Sequence, residues 1–361
     1  MAAAFLFTTA SAGLAAPALD GARMGWPWAL PFVGMLASIA TGPLLFPAVW
    51  HHHYGKITLV WAALTVVPLG LVYGPPVSGA ALVNATVAAY LSFIALLFAL
   101  YVVAGGILLR GQIRGTPGAN AAMLAFGTAI ASLVGTTGAA MIMIRPLLRT
   151  NAGRTHKAHV VVFFIILVAN VGGALTPLGD PPLFVGFLRG VDFFWPATHL
   201  WMQTAIVVVL VLAVFVGLDL WFSRTDRASA PATEPMWLRI DGAVNLPLIA
   251  LIMASILGAA VWRPGVSFDV FGTNVALENL VRDIALVLIA LASLWLTPNE
   301  HRAVNGFTWE PIREVAILFA GIFTAIIPVL AMLEAGREGV FAPLLHVVTQ
   351  ADGQPHEVAY F

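Results

Sequence analysis

Apolar stretches close to the length of a bilayer crossing recur along the whole chain, with few charges inside them. A helix needs ~20 mostly apolar residues to cross the hydrocarbon core. Pro27–Trp50, Ile57–Tyr73, Ala89–Leu109, Leu200–Phe222, Ala243–Trp262, Leu280–Leu296 and Val315–Leu333 each read as such a span. Only 9% of the 361 residues are charged and 60% are apolar, where a soluble domain carries about a quarter charged residues. The 17 basic and 17 acidic residues cancel. This balance excludes a disordered chain, a nucleic-acid-binding surface and an ordinary soluble enzyme. The absence of cysteine removes disulfides, thiolate metal sites and cysteine nucleophiles. The fold class that remains is all-α, a polytopic membrane protein whose first partner is the lipid bilayer.

Two apolar stretches do not fit a simple crossing. Asn120–Leu148 carries Gly127, Gly135 and Gly138 and ends in Arg145-Pro146, so it reads as a re-entrant hairpin over 120–148. Ala158–Leu188 is interrupted by Gly172-Gly173, Pro177, Gly179, Asp180, Pro181 and Pro182, so it reads as a broken helix over 158–188. The basic residues arbitrate the hairpin, because short cytoplasmic loops collect Lys and Arg. With the N-terminus outside and the hairpin returning to its own side, 12 basic residues fall inside and 5 outside. A crossing at that position would put 7 inside and 10 outside.

This topology divides the chain. Residues 1–25 form an apolar tail or a signal-like segment, with Ala16-Pro17-Ala18 resembling a cleavage site but no basic residue before the apolar run. Residues 26–222 form a first repeat of three spans, the hairpin, the broken helix and a last span at 200–222. A polar linker occupies 223–242. Residues 243–361 supply three more spans, entering the membrane upside down relative to the first set. Inverted repeats of this kind belong to secondary transporters. The hairpin, the broken helix and the last span of the first repeat occupy residues 111–222, and symmetry predicts a comparable segment beyond residue 361, so the second repeat reads as truncated. A naturally short relative is the competing reading.

Chemistry concentrates at the two interruptions. Irregular backbone at membrane depth must line a cavity or bind something. At Val134-Gly135-Thr136-Thr137-Gly138, glycine permits the turn and Thr136 and Thr137 offer hydroxyl oxygens; a small-residue packing face is the alternative. At Ala169-Asn170-Val171-Gly172-Gly173-Ala174-Leu175-Thr176-Pro177-Leu178-Gly179-Asp180-Pro181-Pro182, the prolines forbid a continuous helix. Asn170, Thr176 and the carbonyls around Gly172 and Gly173 offer neutral oxygen ligands. Asp180 is a carboxylate inside an apolar stretch, which marks a functional site by default; capping the following half-helix is the plainer role.

Other polar residues read as interfacial. His51-His52-His53 sits at a segment end and has no spaced ligand partners. All nine histidines lie at or beyond the ends of the apolar runs, which argues against a buried histidine proton relay. Asp219 reads as near headgroup level, Arg282 and Asp283 as solvated at a span start, and Glu310, Arg313 and Glu314 as an interfacial cluster first and a gating or proton-coupling group second.

Asn170-Val171-Gly172-Gly173 followed by Thr176-Pro177-Leu178-Gly179-Asp180-Pro181-Pro182 resembles the unwound-helix signature of the ion-transporter superfamily. That group holds NhaD-type sodium:proton antiporters, arsenite permeases, citrate–metal transporters and divalent-anion:sodium symporters. The Gly-Asp-Pro-Pro form is closer to the antiporter and arsenite branches, since dicarboxylate symporters typically carry Thr at the acidic position. The tip Gly135-Thr136-Thr137 stands where symporters carry Ser-Asn-Thr. Leu44–Lys56, with Trp50-His51-His52-His53-Tyr54-Gly55-Lys56, is similar to bacterial sodium:proton antiporters of the group. The resemblance implies an elevator-type carrier of the inner membrane, a homodimer, with half of its site in this chain.

The leading functional reading is Na⁺/H⁺ antiport, with Asp180 binding either ion and Thr136, Thr137, Asn170, Gly172, Gly173 and Thr176 completing an oxygen shell. The alternative is transport of citrate, a dicarboxylate or arsenite on the same fold. No cofactor is expected beyond transported Na⁺ and H⁺, and no metal beyond that Na⁺. Enzymatic activity is not expected: an aspartyl membrane protease needs Gly-x-Gly-Asp, and Pro177-Leu178-Gly179-Asp180 lacks the first glycine.

Overall fold

The computed structural model describes residues 19–225 and 237–343. Residues 1–18 of the apolar or signal-like segment therefore lie outside the described residues, as does the end of the chain. The helices run in order as α1 (Leu30–Leu45), α2 (Pro47–Tyr73), α3 (Pro75–Asn84) and α4 (Leu91–Gly105), with a π turn over Ala85–Tyr90 joining the last two. A strand, β1 (Leu108–Gln112), precedes α5 (Pro117–Val134) and α6 (Thr136–Thr150). Then come α7 (Ala158–Leu167), α8 (Pro181–Leu188), α9 (Trp195–His199) and α10 (Trp201–Thr225). The strand β2 (Trp237–Asp241) leads to α11 (Asn245–Val261), the strands β3 (Ser267–Val270) and β4 (Thr273–Ala276), and α12 (Leu277–Leu296). The last helices are α13 (Asn299–Val304), α14 (Glu310–Ala325) and α15 (Ile327–Glu334).

Among the described residues, Trp26–Leu45, Pro47–Tyr73, Pro75–Gly105, Pro117–Val134, Trp201–Arg224 and Leu277–Leu296 are long and apolar enough to cross a membrane. The protein is thus an all-α, multi-pass membrane protein. Several spans differ in detail from the sequence reading. His51–Lys56 continues α2 as helix, because a helix is closed by its own backbone bonds whatever its side chains. The span expected at Ala89–Leu109 starts earlier, at Pro75, where proline is tolerated because the first-turn amide has no helical acceptor. The expected span Val315–Leu333 is instead the pair α14 and α15, bent by 41°. The end of the polar linker is a strand: β2 pairs antiparallel with β1, Leu108 opposite Asp241 and Gln112 opposite Trp237.

The chain divides into two compact units. The first holds residues up to Leu91, Ser267–Ala276 and the chain from Arg313. Its core gathers Met24, Leu69, Ile327, Met332 and Phe341. There Trp50 Nε1 donates to Glu314 Oε1 at 3.1 Å.

The second unit holds Ser92–Val266 and Leu277–Ile312. Two buried cations tie α4 to α12, one towards each end of the pair. Arg302, 5% exposed, donates to Val102 O at 2.6 Å, to Ser293 O at 3.0 Å and to Ser293 Oγ at 2.8 Å. Those carbonyls belong to the last turns of α4 and α12, where the helix dipole is negative. Two helix ends therefore take the place of a carboxylate, and burial pushes the guanidinium down from its ordinary value. Arg282 is 2% exposed and bonds Ser92 Oγ, Asn279 and Asp283. The expectation that it is solvated at a span start is wrong: α12 starts three residues earlier, at Leu277, and α4 covers it.

Candidate functional site

The two interruptions of the sequence meet in the second unit. Thr116 opens α5, its side chain accepting from Ala119 N at 3.3 Å. The helix ends at Val134 because Gly135 takes φ +77, a left-handed backbone that disfavours any side chain. The chain then enters α6 at Thr136, so 120–148 is a pair of helices joined by one glycine. α7 ends at Leu167, a short 3-10 turn covers Val171–Gly173, and the backbone stays irregular until α8 starts at Pro181. Pro177, Pro181 and Pro182 cannot donate, which keeps this segment unwound.

Glycines allow the two breaks to interlock. A Cβ on Gly172 would sit 2.7 Å from Thr128 O, and one on Gly173 2.7 Å from both Gly179 O and Thr136 Cγ2. A Cβ on Gly179 would sit 2.1 Å from Gly173 O. Hydroxyls then satisfy the carbonyls freed by unwinding. Ser132 Oγ donates to Gly172 O at 2.6 Å, and Thr136 Oγ1 to Gly179 O at 3.0 Å. Thr176 Oγ1 donates in turn to Ser132 O.

The residues singled out by sequence divide into two groups. Thr136, Gly172, Gly173 and Thr176 come together in this knot with Gly179. Thr137 is exposed beside Thr136. Asn170 is exposed and donates from Nδ2 to Ile165 O at 3.0 Å, occupying a carbonyl at the end of α7. Asp180 follows the knot directly, in extended backbone with φ −140. It occupies the N-cap position of α8, yet its carboxylate accepts no capping hydrogen bond. The side chain is exposed and makes no ion pair among the described residues, which leaves both oxygens open to a ligand there.

The ends of the two helices beside the knot are not alike. α6 begins with Thr136, Thr137 and Gly138, whose amides have no acceptor within the helix. Such an end attracts anions. α8 begins with two prolines, so its first turn has almost no donor to offer. The Thr136 end therefore suits an anion, and the Asp180 end a cation.

Ser132 was missed by sequence reading. Its place in the last turn of α5, four residues before Thr136, is the signal that could have found it. The partners of Asp219 were missed too. It is fully buried and held by three partners: Arg154 Nη1 lies 2.6 Å from Oδ1, His159 Nε2 2.8 Å from Oδ1, and Asn120 Nδ2 3.0 Å from Oδ2. The loop before α7 folds back over the end of α10, which the hydropathy of either segment does not reveal. Among the described residues, no group of three or more His, Asp or Glu is arranged to hold a metal ion.

A family model described as "Putative citrate transport", CitMHS_2, matches residues 21–361. The chain belongs to this family. CitMHS_2 membership makes it a secondary transporter of the citrate-transporter-like type within the ion-transporter superfamily. It also places the resemblance carried by Asn170–Pro182 on nearly the whole chain. No curated protein and no solved structure matches.

Proposed function

We propose that this chain is a cation-coupled carrier of a citrate-like carboxylate. Asp180 holds the coupling cation, Na⁺ or H⁺, one at a time. The open carboxylate of Asp180, directly after the Gly173–Gly179 knot, is the observation that carries the reading. A carboxylate within an apolar segment favours the protonated form as water is withdrawn, and a hard cation competes with that proton for the same oxygens. Thr136, whose hydroxyl meets the Gly179 carbonyl beside Asp180, completes an oxygen shell with Thr137, Asn170 and backbone carbonyls. The α6 amides receive the carboxylate groups of the substrate. The family description supports the anion, and the open Asp180 supports the cation.

A second reading, Na⁺/H⁺ exchange without any organic anion, is favoured by the donor-poor start of α8, which leaves Asp180 facing no competing anion cradle. In either case the reading includes an elevator-type movement, a homodimer and residence in the inner membrane.

The test is reconstitution in vesicles with an internal pH dye. Addition of Na⁺ or Li⁺ alone is compared with addition of citrate and of arsenite. Citrate flux that depends on the cation supports the carrier. Proton flux driven by Na⁺ alone selects the second reading. Citrate flux indifferent to Na⁺, Li⁺ and pH would overturn the coupling.

A further inference from the structure

The short ribbon of β1 and β2 gathers more positive charge than its carboxylate balances. In its register Arg110 stands directly opposite Arg239. Like charges in that position weaken a ladder. Asp241, two residues along from Arg239, offsets the repulsion. Its Oδ2 lies 2.9 Å from Arg110 Nε and its Oδ1 2.8 Å from Arg239 Nε, so each oxygen is engaged by a different guanidinium. Arg149, in the last turn of α6, adds a third cation. It is exposed and donates from Nη2 to Leu109 O at 2.9 Å, the carbonyl immediately before Arg110. A neutral carbonyl removes none of its charge. Three guanidiniums against one carboxylate leave a surplus of two positive charges (3 − 1) in this group.

The carboxylate is inside and the cations are outside. The Asp241 side chain is 9% exposed, against 44% for Arg110 and 75% for Arg239. Both arginines meet Asp241 through Nε, which leaves the terminal Nη groups of each planar fork as donors for a second acceptor. A fork of this kind matches the paired oxygens of a phosphate.

The place of the ribbon in the chain says where that phosphate comes from. β1 begins three residues after the apolar span Pro75–Gly105 ends, and β2 ends four residues before the apolar helix α11 begins. Three residues of chain reach about 10 Å, so the ribbon is tethered beside the headgroups that flank the hydrocarbon core. Its two strands are paired and therefore lie on one side of the membrane. Arg110, Arg149 and Arg239 all belong to the loops that the charge count places inside. The leaflet on that side carries the anionic lipids.

We propose that Arg110, Arg149 and Arg239 form a binding site for the headgroup phosphate of an anionic lipid of the cytoplasmic leaflet. The lipid supplies the negative charge that Asp241 alone does not, and by occupying the Nη donors it steadies the cross-strand arginine pair. The site is separate from Asp180 and independent of which ion or carboxylate the protein carries.

The test uses the full chain, purified in a neutral detergent. It is titrated with phosphatidylglycerol, with phosphatidylcholine of the same acyl chains, and with inorganic phosphate. Native mass spectrometry counts the lipid retained, and the melting temperature is followed alongside. Phosphatidylglycerol is expected to bind saturably and to raise the melting temperature; phosphatidylcholine and inorganic phosphate at the same concentration are expected to do neither. Arg239→Gln and Arg149→Gln should each weaken phosphatidylglycerol binding about fivefold, the worth of one basic residue at an anionic membrane surface. Both side chains are exposed, so the lipid-free melting temperature of each variant should stay near that of the wild type. Arg263→Gln is the control: it removes an exposed arginine beyond the other end of α11 and should bind as the wild type does. Equal retention of phosphatidylcholine, or wild-type affinity in both Arg239→Gln and Arg149→Gln, overturns the site. A melting temperature raised as much by inorganic phosphate as by phosphatidylglycerol overturns the lipid as its occupant.

Discussion

The contact between Gly173 and Gly179 gives the most quantitative test of how the two interruptions are held. In Gly179→Ala the new methyl carbon would lie 2.1 Å from Gly173 O, 2.4 Å from Gly173 Cα and 2.6 Å from Gly173 C. All three neighbours are backbone, so no side chain can swing aside. To restore a tolerable separation the two segments must part by about 1 Å, an overpacking strain that typically costs about 1–3 kcal/mol. The same movement pulls Gly179 O from Thr136 Oγ1, now 3.0 Å away, and a lost hydrogen bond adds about 0.5–1.5 kcal/mol. The sum, about 2–4 kcal/mol, lowers the population of the interlocked form about 30- to 1,000-fold relative to the opened one. Uptake by vesicles should fall correspondingly, and the melting temperature of the purified protein should drop. Gly217→Ala is the control: it lies in α10 with nothing near its Cβ position. Alanine there favours the helix by about 0.5–1 kcal/mol and should leave transport unchanged. Wild-type uptake together with a wild-type melting temperature in Gly179→Ala would refute the interlocking of the two breaks.

Three further outcomes follow from the same contacts. Ser132→Ala removes the donor to Gly172 O and should lower stability by about 1 kcal/mol, read as a shifted denaturation midpoint; an unchanged midpoint would mean that water serves Gly172 equally well. Arg302→Met strips the donors from Val102 O, Ser293 O and Ser293 Oγ, which should cost about 2–4 kcal/mol; a variant as stable as wild type would show that the ends of α4 and α12 need no cation. Asp180→Asn should abolish cation-dependent flux at an unchanged melting temperature, because the carboxylate makes no capping hydrogen bond to α8; a large loss of stability would instead reveal a structural cap.

The membrane class was legible because a bilayer crossing is a property of consecutive residues. The same holds for the two interruptions, since Gly135, Pro177, Pro181 and Pro182 act on their own backbone. What could not be read was which isolated polar residue faces which. Ser132 and Gly172, Asp219 and Asn120, and Arg302 and Val102 are joined across 40, 99 and 200 positions. No local pattern encodes those separations, and a single serine or arginine near the end of an apolar run looks the same whether it meets water or a helix end. Arg282 was read as solvated for this reason, and the partners of Asp219 went unseen. The start of α2 was misplaced for another: His51–Lys56 is polar, and hydropathy reports where a span could be apolar, not where its helix ends.

The central claim is that Asp180 takes a cation or a proton but not both. Proton release from purified protein in weakly buffered solution on addition of Na⁺ or Li⁺ tests it most directly. The account predicts a saturable release from the wild type that Asp180→Asn abolishes without any change in melting temperature. The same release from Asp180→Asn would contradict it.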